Sequence, residues 1–175
     1  YFVQTTKQMA ELWKAAGEFQ IDTFDLEERI LTQMLYTTDY TPHMEEIYES
    51  YCAGGGRDLV CMAYLSYFAN MYLTEDAVVP EHVFRQIRER YLTGGDLNRV
   101  CRIALLKYLS ENHLSERDRK IADELLDTCI RHNLYFAFFR KFDEKLLRKY
   151  QLTDKFFLEY HTAPGQQIEV HYRLE

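Results

Sequence analysis

Two stretches of the sequence repeat one another: IYESYCAGGGRDLVCMAYL at 47–65 and IRERYLTGGDLNRVCRIAL at 87–105. They align without a gap at an offset of 40 residues, and eight of the 19 positions are identical. Ordinary residue frequencies would supply about one chance match. The identities include apolar residues and the glycine pairs Gly54/Gly94 and Gly55/Gly95. The repeat predicts two copies of one unit, in which a helix ends at the glycines and a second helix follows.

Apolar residues recur at helical spacing almost to residue 150, which predicts a mainly α-helical chain. Polar caps, prolines and glycines indicate where the helices begin and end. The expected helices lie at 5–17, from Asp22 or Thr23, from Thr41-Pro42 to the glycines at 54–56, at 58–73, from Pro80 to Gly94, from the cap Asp96, from the capping box Ser115–Asp118, and through 139–150. Segment 134–139 also fits a buried strand. The helix at 58–73 is apolar on nearly every side, which predicts a central position.

The period changes to two near the C-terminus. Residues 156–161 alternate, and after Pro164-Gly165 the apolar residues Ile168, Val170, Tyr172 and Leu174 alternate with polar ones. This pattern predicts a β-hairpin. Because a lone hairpin is marginal in water, we expect it to lean on the helices or to pair with strands outside this chain. The predicted domains are a helical repeat domain at 1–150 and a hairpin at 151–175 that joins a following domain, with self-association through 154–175 as one alternative.

Helix pairs that repeat at about 40 residues are typical of arrays in which each unit buries its apolar face on the next. The expected fold is therefore mainly α, with antiparallel helical hairpins stacked in a superhelix or a bundle. The alternative is an ordinary bundle with one accidental similarity. Residues 5–150 resemble the HEAT-type and tetratricopeptide-type class of helical repeats, although the tetratricopeptide motif is not met in register. The whole chain also resembles an interior piece of the large uncharacterised multidomain proteins of anaerobic Firmicutes, a likeness that implies no known activity.

The charge of the chain is uneven. Its formal net charge is −7, and residues 1–60 carry eleven acidic against four basic side chains. An acidic first third repels phosphate, which disfavours nucleic-acid binding and favours a neutral or basic peptide or protein partner. The basic cluster at 140–149 is interpreted as a solvated helix face. No apolar stretch of about 20 residues is present, so direct membrane insertion is not expected.

The four cysteines, Cys52, Cys61, Cys101 and Cys129, form no CxxC pair and lie among apolar neighbours. Buried thiols are therefore favoured over disulfide bridges. Reduced thiols slightly favour a cytoplasmic location, although the compartment cannot be read from the sequence.

A search for catalytic motifs finds no HExxH, no GxSxG and no phosphate-binding loop. The acidic pairs Glu27-Glu28 and Glu45-Glu46 are expected on solvent-facing helix surfaces. His161 and His171 could face one another across the hairpin and hold a metal, but strand histidines are more commonly just exposed. We therefore expect no catalytic residue, no cofactor and no metal.

Tyrosines gather around the repeat units, and some must be core. Tyr36, Tyr40 and Tyr48 lie off the inner apolar stripes and could line a concave surface that grips a peptide, because binding energy concentrates on aromatic side chains. The favoured function is a non-catalytic protein- or peptide-binding scaffold module of a larger protein. The alternatives are an accessory domain of a multidomain enzyme and a passive spacer between domains.

Overall fold

The computed structural model describes residues 5–36, 42–75, 77–112, 115–132, 156–160 and 168–172, with side chains up to Thr128 except that of Ser110. Within these residues lie seven helices and two strands: α1 Thr6–Glu18, α2 Phe24–Met34, α3 Met44–Ala53, α4 Asp58–Glu75, α5 Glu81–Leu92, α6 Arg99–Glu111, α7 Glu116–His132, β1 Phe156–Tyr160 and β2 Ile168–Tyr172. The predicted mainly α fold is confirmed. The contacts divide the chain into two compact units, 1–86 and 87–175, with the division inside α5.

Helix α2 is the centre of the first unit, because it packs against α1, α3 and α4. Its apolar stripe is fully buried, with Ile30, Leu31 and Met34 at most 1% exposed. Helix α1 begins with a capping box, in which the Thr5 hydroxyl accepts from the backbone of Gln8 and the Gln8 side chain accepts from the backbone of Thr5. This satisfies two of the backbone groups that a helix start leaves unpaired.

Helix α4 is less uniformly buried than its sequence suggests. Its buried residues fall on one broad side and recur in neighbouring pairs: Val60, Cys61, Tyr64, Leu65, Phe68, Ala69, Tyr72 and Leu73. The opposite side is half-buried, and Leu59 is 77% exposed. The prediction of a helix surrounded on every side is therefore wrong for the first turn, although the helix does supply much of the core of its unit.

Helices α3 and α5 each end at a group of glycines, 54–56 and 94–95, which we call the glycine stops. The two stops share one hydrogen-bond pattern. At the end of α3, Gly56 N donates to Tyr51 O (2.9 Å); at the end of α5, Gly95 N donates to Arg90 O (2.8 Å). These are the long C-terminal bonds of a Schellman motif, which requires a left-handed residue just before the donor. Gly55 and Gly94 supply it, with φ of 86° and 71°. The structural equivalence is thus Gly55 to Gly94, one residue out of register with the predicted Gly54/Gly94 pairing.

Helix starts agree with the sequence at some positions and differ at others. Ser115 caps α7 as predicted, its hydroxyl accepting from Asp118 N. Helix α6 is capped by Asn98, which accepts from Cys101 N (3.0 Å), and the prediction of Asp96 as the cap is wrong. Helix α3 begins at Met44 after a left-handed His43 (φ 71°), two residues beyond the predicted Pro42.

In the second unit, α6 packs against α7. Each helix contributes a fully or nearly buried apolar stripe: Cys101, Ile103, Ala104, Leu105, Leu106 and Leu109 from α6, and Ile121, Ala122, Leu125 and Leu126 from α7. Two polar contacts join α5 to α7, from Arg88 to Asp118 and from Tyr91 OH to Glu124 (2.7 Å).

Strands β1 and β2 pair antiparallel, with Leu158 opposite Val170 and Phe157 opposite His171. The connection between them lies outside the described residues, so the complete hairpin stays a prediction. The predicted helix at 139–150, the basic cluster at 140–149, His161 and the domain boundary at residue 150 also lie outside them. Of the helices in the described part of the chain, none is long and apolar enough to cross a membrane.

Candidate functional site

The outward face of α2 is the candidate surface among the described residues. It borders an open depression of about 260 Å³, lined by Asp25, Glu28, Arg29, Thr32 and Gln33. These positions recur every three or four residues and therefore share one side of the helix, opposite the buried stripe. The depression carries both charge signs and two uncharged polar side chains. It can therefore hydrogen-bond to a polar backbone and pair with a charged group.

One wall of this face is held by a polar cluster between α2 and the glycine stop. Tyr51 OH donates to Glu28 Oε2 (2.7 Å), and the Arg57 guanidinium donates to Glu28 Oε1 (2.6 Å). The backbone N–H of Arg57 in turn donates to Tyr51 OH (2.9 Å). The hydrogen bonds from Tyr51 and Arg57 lower the pKa of Glu28, so this carboxylate stays ionised at lower pH than an ordinary glutamate does. Burial, helped by the bond to Glu28, raises the pKa of Tyr51.

The inner side of α2 carries a second acidic residue that anchors the helix to its neighbours. Glu27 is 2% exposed, and its Oε1 accepts from Trp13 Nε1 on α1 (2.9 Å), Thr23 Oγ1 (2.8 Å) and Ser50 Oγ on α3 (2.6 Å). A buried carboxylate is tolerated only when donors replace the water that it loses. The predicted solvent position of Glu27 is therefore wrong, whereas Glu28 and the pair Glu45-Glu46 do reach the solvent.

Two exposed apolar side chains follow the last turn of α2. Leu35 is 42% and Tyr36 is 80% exposed. The chain continues helically into them, since Leu35 N donates to Thr32 O and Tyr36 N donates to Gln33 O. Tyr36 therefore follows Arg29, Thr32 and Gln33 along the same side of α2. A solvent-exposed aromatic side chain near a polar depression is a typical anchor for a binding partner. We call residues 25–36 on this side, with Asp25, Glu28, Arg29, Thr32, Gln33, Leu35 and Tyr36, the α2 face.

The three tyrosines predicted to bind a partner have different environments. Tyr36 lies exposed on the α2 face, and Tyr40 lies outside the described residues. Tyr48 is 3% exposed and stacks on Tyr64 with ring centroids 4.4 Å apart. Its expected surface position is wrong, because the ring fills the core between α3 and α4. Partner binding itself stays a prediction.

A buried histidine adjoins the stacked tyrosines. His82 is 2% exposed, and its Nε2 shares a hydrogen bond of 2.5 Å with Tyr64 OH. Its Nδ1 lies 3.8 Å from Glu45, which also pairs with Arg85. Burial lowers the pKa of His82, more than Glu45 and Glu49 raise it. The order carboxylate, imidazole, hydroxyl is that of an acid–base relay, but the hydroxyl is on Tyr64, which is fully buried, so the cluster lies inside the packed core of the first unit.

The sequence contained a signal for Glu27. Residues 27, 30, 31 and 34 follow the same i, i+3, i+4, i+7 spacing, so Glu27 occupies a position of the apolar stripe. A charged residue in that position indicates a buried, hydrogen-bonded carboxylate. No comparable signal identifies His82 or the contact of Tyr51 with Glu28, because those contacts depend on how the helices pack.

Within the described residues, no three His, Cys, Asp or Glu side chains group as metal ligands would. The model of a protein family described as a family of unknown function (DUF5717), C-terminal, matches residues 1–175. Neither a curated protein nor a solved structure matches this chain.

Proposed function

The chain belongs to the DUF5717 C-terminal family of unknown function, and we propose that it is a non-catalytic module that binds a peptide segment through the α2 face. The proposed ligand is a short neutral or basic segment with one large apolar residue. That residue packs against Tyr36 and Leu35, while a basic side chain approaches the exposed carboxylate of Asp25. The observation that carries the proposal is the 80% exposure of Tyr36, which lies two residues beyond the end of the helix whose outward side lines a polar depression.

Three further features support this assignment. Helix α2 contacts α1, α3 and α4, so the α2 face is presented by a rigid element. The Glu28–Tyr51–Arg57 cluster fixes one wall of the depression before any ligand arrives, which reduces the ordering cost of binding. The acidic excess of residues 1–60 attracts a basic partner over a distance longer than any single contact.

The proposed scaffold is a helical array in which α3–α4 and α5–α6 are two copies of one unit. The shared pattern of hydrogen bonds at the glycine stops supports the duplication. So does the burial of matched positions on α4 and α6 at the offset of 40, where Cys61/Cys101, Tyr64/Ala104, Leu65/Leu105 and Ala69/Leu109 are all buried. Val60 is buried and Val100 half-buried, in keeping with a similar but not identical surrounding. We also propose that the paired strands β1 and β2 belong to one hairpin.

The experiment is a selection of peptides from a random display library on the purified full chain. Individual enriched peptides are then titrated against the wild type and against Tyr36→Ala. We expect enrichment of sequences that combine an aromatic or large aliphatic residue with Lys or Arg. Loss of the Tyr36 ring should weaken their binding at least about tenfold, as is typical of an aromatic anchor.

Leu59→Ala is the matched control, because Leu59 is 77% exposed on α4 and belongs to no part of the α2 face. Its affinity for the selected peptides should equal that of the wild type. A library that yields no enriched sequence, or peptides that bind Tyr36→Ala as tightly as the wild type, would reject the proposed function.

A further inference from the structure

Two cysteine sulfur atoms meet beside the glycine stop between α3 and α4. Cys52 lies at the end of α3 and Cys61 in the first turn of α4, and their Sγ atoms are 2.7 Å apart. The S–S bond of a disulfide is about 2.05 Å long, so a further approach of roughly 0.7 Å would bring the two atoms to bonding distance. Both residues are thiols in the structure. The two sulfur atoms thus already lie close to the length of a covalent bond.

The two thiols differ in their access to solvent. Cys61 is 3% exposed, whereas Cys52 is half-buried, so Cys52 is the more accessible of the two. The segment between them is short and contains the left-handed Gly55 (φ 86°), which reverses the chain tightly enough to bring the two helix ends together. A pair of one accessible and one buried thiol is the arrangement in which the first reacts with an oxidant and the second completes the bond.

We propose that Cys52 and Cys61 are a redox modification site, at which a low-molecular-weight disulfide converts the two thiols into an intramolecular disulfide. The Cys52 thiolate attacks the reagent, forms a mixed disulfide and releases one small thiolate. The Cys61 thiolate then attacks the Cys52 sulfur, forms the Cys52–Cys61 bond and releases the second small thiolate. Two protein S–H bonds and one reagent S–S bond are replaced by one protein S–S bond and two small-molecule S–H bonds.

The disulfide would cross-link the end of α3 to the start of α4 and so restrict the motion of the turn that contains Arg57. That residue donates to Glu28 on the α2 face. The oxidised form should therefore resist local opening of this turn. The site itself stands on the geometry of the two thiols and does not depend on the proposed binding function.

The test is a brief treatment of the folded full chain with oxidised glutathione, followed by rapid alkylation of the remaining thiols and intact mass measurement. Compared with the reduced and alkylated wild type, the oxidised wild type should carry two fewer alkyl groups and no lasting glutathione. Peptide mapping under non-reducing conditions should show a cross-link between the peptides that contain Cys52 and Cys61. Dithiothreitol should restore the original mass.

Two variants separate the steps. Cys61→Ser should retain one glutathione on Cys52, because the thiol that would displace it is absent. Cys101→Ser should behave as the wild type. Cys101 occupies the position of Cys61 in the second copy of the repeat, but the position of Cys52 is there taken by Leu92, so Cys101 lacks the matching cysteine. Wild-type chain that keeps glutathione on Cys52, that remains unmodified, or that cross-links other cysteines would overturn the proposal. The wild-type map decides this even if a variant fails to fold.

Discussion

At the residue scale, the first unit depends on polar side chains that are buried and fully engaged. Glu27 joins α1, α2 and α3 through a single carboxylate oxygen, and Trp13 is one of its three donors. The spacing of the apolar stripe predicts that this position faces inward. The identity of the three donors could not be predicted, because Trp13 and Ser50 reach Glu27 only after the helices have packed.

We predict that Glu27→Ala lowers the free energy of unfolding by about 2 kcal/mol, because three partly buried donors lose the acceptor that they share. Glu27→Gln keeps one carbonyl oxygen and should cost less. Glu46→Ala, at a side chain that is 66% exposed, is the control and should change stability by less than about 0.5 kcal/mol. Urea unfolding followed by circular dichroism measures all three. Equal stability of Glu27→Ala and Glu46→Ala would contradict the anchoring role.

The buried His82 predicts a pH dependence of stability. Its pKa in the folded chain lies below its usual value of 6.5, so the unfolded chain takes up the proton first as the pH falls. Stability should be level above the unfolded pKa and should decline as the pH drops below about 6.5 towards the folded pKa. Unfolding midpoints measured between pH 8 and pH 5, each compared with His82→Asn, test this. A variant with the same decline as the wild type would assign the effect to other groups.

At the element scale, the helices are predictable from apolar spacing, whereas their ends are less so. The sequence places both glycine stops, because no other residue enters the left-handed region as readily. It does not fix which glycine does so, and the structure sets Gly55 rather than Gly54 against Gly94. The cap of α6 shows the same limit, since Asp96 and Asn98 are both good caps and only the path of the chain decides between them.

The two glycine stops also differ in the space that they leave for a side chain at their last glycine. A Cβ on Gly56 would lie 2.3 Å from the Tyr51 ring and 2.7 Å from its carbonyl oxygen, whereas one on Gly95 would lie 3.4 Å from Arg90 O. We predict that Gly56→Ala lowers the free energy of unfolding by about 2 kcal/mol or more and that Gly95→Ala costs less than about 0.5 kcal/mol. Thermal unfolding of the matched pair measures the difference. Equal losses would mean that the Tyr51 ring does not occupy this place.

At the scale of the whole molecule, apolar spacing predicts a mainly α chain and the charge count predicts an acidic first third, and the mainly α fold is confirmed in the described residues. The partner surface was only partly predictable. Tyr36 was singled out as lying off the inner stripes, but the same reasoning misplaced Tyr48. Tyr48 is buried with Met44, Ile47 and Tyr51 at the i, i+3, i+4, i+7 spacing of one stripe on α3, and it stacks on Tyr64.

The charge distribution predicts how binding responds to salt. Residues 1–60 carry eleven acidic and four basic side chains, so attraction of a basic peptide should weaken as ions screen it. We expect the dissociation constant of a selected peptide to rise severalfold between about 0.05 and 0.5 M sodium chloride, mainly through slower association. Stopped-flow or surface-based kinetics measures this. An affinity independent of salt would show that apolar contacts alone account for binding.

Hydrogen exchange of the full chain, with and without a selected peptide, tests the proposed binding surface most directly. The account predicts slower exchange at residues 24–36 in the complex, with unchanged exchange at residues 116–128 of α7, and no such protection in Tyr36→Ala at the same peptide concentration. Protection that falls on α7 or is spread evenly along the chain, with residues 24–36 unaffected, would contradict it.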